Sequence, residues 1–167
     1  VASRELDKTF QLLPQPQSIE LTSGKGINYW ELSYILSSDT TSIPILGDML
    51  NKLPRCPRKG KPIRLQLTSQ HVPASPEGYM MEINEKGVCI SARTMTGIFY
   101  GCQTLEQLME DSRDFNILIP AMLIIDYPAI SYRAVHFDVK HHLGRMEYYY
   151  QEIDKLARYK INAVIWE

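Results

Sequence analysis

A helix that carries two glycines on one side can lie unusually close to whatever it packs against. The stretch GIFYGCQTLEQL, 97–108, reads as such a helix. Met95, Ile98, Phe99, Cys102, Leu105, Leu108 and Met109 recur at spacings of three and four, which predicts an amphipathic helix over 94–110. A glycine inside a helix costs roughly 0.5–1 kcal/mol against alanine, so two of them ask for a reason. Gly97 and Gly101 are four apart and share a face. Beside the apolar stripe, they would let the helix press on a sheet. The alternative is that Gly97 only serves the N-terminal turn.

The flanking segments supply that sheet. YMMEINEKGVCISA reads as a hairpin turning at 84–87. IRLQLT alternates, with Ile63, Leu65 and Leu67 on one face. Pro14 and Pro16 bar helix and lead into a short strand over 18–22. INYWELSYILSS is rich in β-branched and aromatic residues and reads as extended. Ile45, Met49 and Leu53, spaced by four, predict a second helix over 42–53 with Ser42 as its N-cap. PRCPRKGKP follows as a basic, proline-rich connector. DSRDFN breaks the glycine-bearing helix, and ILIPAMLIIDYP is a strand interrupted by Pro120. The first 128 residues therefore run β-β-α-β-β-β-α-β. That order predicts an α+β fold, with an antiparallel or mixed sheet and two helices on one face.

At Tyr132 the texture changes. YRAVHFDV is a nearly continuous strand of the buried type. RMEYYYQEIDKLARYK is a helix with Met146, Tyr149, Tyr150, Ile153, Leu156 and Ala157 on its apolar face, and INAVIWE is a second buried-type strand. Strand, helix and strand in so short a space form a βαβ unit with parallel strands. The expected domains are 1–128 and 129–167, the latter the truncated start of a larger α/β domain. Its open edges and uncovered face make self-association through the exposed strands an expected behaviour.

Composition narrows the function. With 18 basic and 19 acidic residues the net charge is -1, so no basic excess points to nucleic acid. No run is long and apolar enough to span a membrane, and VASRELDKTF lacks the apolar run of a signal peptide. Cys56, Cys89 and Cys102 have neither metal-ligand spacing nor the makings of a disulfide framework; Cys89 and Cys102 read as small core residues. His141 and His142 are adjacent, with no carboxylate at helical spacing, so no metal is expected; His136 reads as a satisfied interior histidine. No glycine-rich phosphate loop and no G-x-S-x-G appears, and no cofactor is expected. Ten tyrosines against four phenylalanines tilt the chain toward sugar or protein surfaces, unless they simply half-bury at domain edges.

An ordered set of pieces then carries a family likeness: PEGYMMEINEKGVCISARTMTGIFYGCQTLEQL, IIDYPAISYRAVHFDVKHH, and LARYKINAVIWE. From about residue 12 to 167 it resembles the family 20 glycoside hydrolases, the β-N-acetylhexosaminidases. The order is that of their non-catalytic α+β domain running into the first strands of a (β/α)8 barrel. The resemblance implies removal of terminal β-linked N-acetylhexosamine, GlcNAc or GalNAc, from a glycan by substrate-assisted retaining catalysis. The sugar's own acetamido oxygen attacks, an aspartate orients it, and a glutamate protonates the leaving oxygen. The family places that pair beyond the fourth barrel strand, so no catalytic residue is expected in this chain, which alone should be inactive.

Two substrate-binding residues carry over by motif. Arg133 matches the arginine that hydrogen-bonds sugar hydroxyls, a task its planar fork suits; the alternative is an arginine salt-bridged at the barrel floor. Asp138 matches the aspartate closing the first strand, where barrel enzymes place functional groups; the alternative is a carboxylate capping local loops. The two differ in strand parity, so one must sit past the strand's end. Val139–Lys140–His141–His142 stands where the family has V-S-R-H, and Trp166–Glu167 where it has W-H. These departures leave the sugar preference open. The likeness also implies export to the periplasm, cell surface or medium. A glycan- or protein-binding scaffold without hydrolase activity is the competing expectation.

Overall fold

The computed structural model describes residues 6–37, 60–140 and 143–167. The chain divides into two compact units, Val1–Tyr127 and Pro128–Glu167. The helix expected over 42–53, most of the basic connector, Cys56 and the His141–His142 pair lie outside the described residues.

The first unit is built on one six-stranded mixed sheet. Its strands are β1 (Ser18–Leu21), β2 (Leu32–Ser37), β3 (Lys61–Leu67), β4 (Tyr79–Asn84), β5 (Gly87–Ala92) and β6 (Met122–Asp126), in the order β1-β6-β4-β5-β3-β2. The β2–β3 and β3–β5 pairs are parallel and the others antiparallel. Helix α1 (Met95–Phe115) packs on β3, β4 and β5. Period-two alternation turns Ile63, Met81, Ile83, Ile90, Met122 and Ile124 toward a shared core, with Ile98, Leu105 and Leu108 coming down from α1. The hairpin turns where expected: the Asn84 side chain accepts the Lys86 N–H at 2.8 Å, and Gly87 takes φ 135°.

The glycines of α1 meet the sheet. A Cβ on Gly97 would stand 2.3 Å from the Gly78 carbonyl oxygen and 2.7 Å from the Ala92 Cβ. A Cβ on Gly101 would stand 2.5 Å from the Ile90 Cγ2, with the Tyr79 ring at 3.3 Å. Gly97 also serves the turn, donating its N–H to the Thr94 cap at 3.2 Å. Close approach also brings the buried Tyr79 hydroxyl to the Thr104 hydroxyl at 2.6 Å. Burial, and then the charge of Asp126, push the Tyr79 phenol well above its ordinary value, so it stays a neutral hydrogen-bonding group.

Two elements differ from the sequence expectation. DSRDFN does not break the helix, which runs on to Phe115. The Ser112 hydroxyl donates to the Ile117 carbonyl, Asp111 accepts the Gln11 N–H at 2.9 Å, and Asn116 closes the helix in the left-handed region at φ 52°. Residues 29–31, expected extended, form a 3-10 turn closed by Asn28 and Glu31 as a capping box before β2 begins. A strap including Phe10 and Leu12, both buried, is pinned to α1 by Gln107. That side-chain amide accepts the Leu13 N–H at 2.8 Å and donates to the Leu13 carbonyl at 2.9 Å.

The second unit is a βαβ arrangement: β7 (Ala134–Phe137), α2 (Met146–Arg158) and β8 (Ala163–Trp166), with the strands parallel. Only Tyr149 on α2 is buried. Leu156 and Ala157 are half-buried, whereas Met146, Tyr150 and Ile153, assigned to the apolar face by their spacing, are exposed.

Candidate functional site

The register of the second unit decides which side chains share a face. Ala134 pairs with Ala163, Val135 with Val164, His136 with Ile165 and Phe137 with Trp166. Phe137 and Trp166 stack at 5.0 Å, and both meet the Tyr149 ring edge-on, at 6.1 and 5.1 Å. These two therefore face α2. By alternation, Ala134, His136, Ala163, Ile165 and Glu167 lie on the helix-free face.

That face changes character along the strands. It starts with two alanines and ends in charged groups. Main-chain bonds carry the ladder one step past the strands: Glu167 N–H donates to the Phe137 carbonyl at 3.0 Å and Val139 N–H to the Glu167 carbonyl at 2.8 Å. Asp138 and Glu167 are thereby set side by side at the C-terminal ends. The Glu167 carboxylate is shared between His136 Nε2, at 3.1 Å, and Lys140 Nζ. Asp138 accepts the Lys140 N–H at 3.1 Å, closing a small turn. His136, expected to be interior, is instead half-exposed with Glu167 as its partner.

The two residues carried over by motif are not brought together. Arg133 precedes β7 and Asp138 follows it, so they stand at opposite ends of the strand. The Arg133 guanidinium donates to the Lys160 carbonyl and to the Ile130 carbonyl, each at 2.7 Å. The Arg133 main-chain N–H donates to Asn162 Oδ1 at 2.9 Å, and Asn162 Nδ2 to the Ser131 carbonyl at 2.8 Å. Arg133 and Asn162 thus tie the N-terminal ends of β7 and β8, while the charged groups gather at the other end. Glu167 and Lys140 were missed as partners, although strand parity alone puts His136 and Glu167 on one face.

Among the described residues, no group of three His, Cys, Asp or Glu side chains could hold a metal ion, and no helix is long and apolar enough to cross a membrane. The first unit carries a separate cleft of about 310 Å³, lined by Lys25, Asn28, Glu31, Lys61, Glu85 and Lys86 among others. Glu31 and Lys61 pair within it at 2.8 Å.

Comparison with known proteins places this architecture. Residues 9–127 match the model for glycosyl hydrolase family 20, domain 2. A β-hexosaminidase of Porphyromonas gingivalis is 37% identical over 101 residues, covering 57% of this chain and 13% of its own. A β-N-acetylhexosaminidase of Cellulomonas fimi is 27% identical over 169 residues, covering 92% of this chain and 33% of its own. The chain thus spans a third or less of these relatives. The solved exo-β-N-acetylglucosaminidase of Vibrio harveyi superposes on 98% of this chain and 26% of its own, with a TM-score of 0.78 at 24% identity. The N-acetyl-β-hexosaminidase of Streptomyces plicatus covers 96% of this chain and 34% of its own, with a TM-score of 0.75 at 25% identity. The expected α+β class with a mixed sheet is the one observed, and the chain belongs to glycosyl hydrolase family 20 through its domain 2.

Proposed function

We propose that this chain is part of a β-N-acetylhexosaminidase that removes terminal β-linked GlcNAc or GalNAc from a glycan by substrate-assisted retaining catalysis. The observation that carries this reading is a family 20 domain 2 followed directly by a parallel βαβ unit. In this reading the βαβ unit opens a (β/α)8 barrel, and its helix-free face lines the interior. Charged groups at the C-terminal strand ends then lie where barrel enzymes do their chemistry.

Asp138 enters the reading on its motif and its place at that end. Arg133 stands at the N-terminal ends instead, donating to the Lys160 and Ile130 carbonyls, which favours the alternative of an arginine fixed at the barrel floor. Neither performs proton transfer. The aspartate and glutamate that the mechanism needs have no counterpart in 132–167, so this chain by itself is inactive. The same reading puts the enzyme in the periplasm, at the cell surface or outside the cell.

The test is hydrolysis of a chromogenic β-N-acetylglucosaminide and β-N-acetylgalactosaminide by this chain and by the same chain extended through a whole catalytic domain. Activity confined to the extended form supports the reading, and activity in neither overturns it. Activity in the short form would mean that the catalytic groups are misassigned. A second reading, a glycan- or protein-binding scaffold, has the charged cleft of the first unit in its favour. It predicts saturable glycan binding by the first unit with no turnover in either form.

A further inference from the structure

Glu167 stands where the family pattern has a histidine, and the structure shows what holds it. Its main chain is locked into the ladder against Phe137 and Val139. Its carboxylate oxygens are divided between His136, on the neighbouring strand, and Lys140, in the turn after it. The side chain is nevertheless 49% exposed. A carboxylate has about four lone-pair sites, and the contacts to His136 and Lys140 among the described residues use two of them. Behind it, on the other face, the Phe137–Trp166 stack and the Tyr149 ring make a firm backing.

The charges select the kind of ligand. Lys140 offsets one of the two carboxylates, Glu167 and Asp138, so the strand ends present no large net charge. An anion would meet two carboxylates. A metal ion would have to displace the Lys140 ammonium and the His136 ring from Glu167. A neutral polyol fits: its hydroxyls donate to an ionised acceptor that is held in place, and hydrogen bonds to ionised groups are the stronger kind.

We infer that Glu167 is a substrate-positioning residue that accepts a hydrogen bond from one ring hydroxyl of the terminal sugar, with His136 and Lys140 orienting its carboxylate. This rests on the hexosaminidase reading. It gives the departure from the family pattern a role in the choice between sugars that differ at that hydroxyl.

The experiment uses the full-length enzyme with 4-nitrophenyl β-N-acetylglucosaminide and its 3-, 4- and 6-deoxy forms. Glu167→Gln is expected to lower kcat/KM on the parent substrate roughly tenfold or more, with the loss largely disappearing on one deoxy form. Lys140→Met is expected to show the same selectivity with a smaller loss. A loss equal on all four substrates, or no loss, overturns the inference. If Glu167→Gln does not fold, Lys140→Met decides by the same pattern. A wild-type enzyme inactive on every β-N-acetylhexosaminide overturns the hexosaminidase reading and this inference together. An active wild type with an unaffected Glu167→Gln overturns this inference alone.

Discussion

Gly97→Ala sets helix propensity against packing, and the geometry says which wins. In an exposed helix interior this change stabilises by roughly 0.5–1 kcal/mol. Here the new methyl would stand 2.3 Å from the Gly78 carbonyl oxygen and 2.7 Å from the Ala92 Cβ, both on the sheet side of α1. The first is main chain, and Gly78 is itself fixed by its N–H bond to the Ser75 carbonyl at 3.0 Å. No side-chain rotation relieves the contact, so the start of α1 must lift by about 1 Å, enough to forfeit a quarter to a half of each dispersion contact beneath it. Overpacking of this kind costs about 1–3 kcal/mol. Less the propensity gain, Gly97→Ala should destabilise by about 1–2 kcal/mol, or lower the unfolding midpoint by about 4–8 °C in a unit of this size. Gly101→Ala should cost less, because what it meets first is the Ile90 methyl group, and Gly101→Leu should cost more. Thermal unfolding followed by far-ultraviolet circular dichroism measures all three. A Gly97→Ala midpoint equal to or above wild type would refute the reasoning, since propensity would then act unopposed.

Other outcomes follow from single contacts. Burial, with a smaller contribution from Glu106, pushes the Cys102 thiol up to about 12, so native protein treated with iodoacetamide near neutral pH should be modified at half-exposed Cys89 and not at Cys102. Peptide mapping reads this, and early labelling of Cys102 would contradict its burial. Gln107→Leu removes both partners of the Leu13 main chain and should destabilise by about 1–2 kcal/mol, with faster amide exchange at Leu13. Unchanged exchange there would show that the strap is held otherwise. Partial burial raises the Glu31 carboxyl, but Lys61 and the Asn28 N–H outweigh it and leave it below its ordinary 4.5. A depressed carboxyl contributes stability above its unfolded value and loses it as pH falls through the folded one. The urea-midpoint gap between wild type and Glu31→Gln should therefore be present near about pH 6 and close toward about pH 3. A gap that widens on acidification would reverse the sign.

What could be read from the residues was whatever local chemistry dictates. The hairpin at 84–87 needed only Asn84 and Gly87, and the stripe of α1 needed only its spacing. The far end of α1 was misread because Asp111, Ser112 and Asp114 look like a break. Contacts distant in sequence, such as Asp111 with Gln11 a hundred residues earlier, override their low propensity. The 3-10 turn was legible as Asn28-x-x-Glu31, a capping signature hidden among β-formers. At the strand ends, His136 was read only as interior, and nothing local told that a carboxylate 31 residues away would reach it. The same holds for Arg133: a motif names the residue, while its hydrogen bonds depend on the Lys160 and Ile130 carbonyls.

The strand order has a consequence for the newborn chain. β1 finds its partner only when β6 has been made, since Ser18 pairs with Ile125, and β2 waits for β3. The middle of the sheet, β4 and β5, is a local hairpin, so the last-made strands form its centre and the first-made ones its margins. At about 5–20 residues per second, the stretch from Ser18 to Ile125 takes roughly 5–20 s to synthesise. Through that interval Ile19 and Leu21 have no ladder to join. Codon changes that slow translation between β1 and β6 should lengthen the exposure of this first strand and its dependence on chaperones, leaving the finished fold the same.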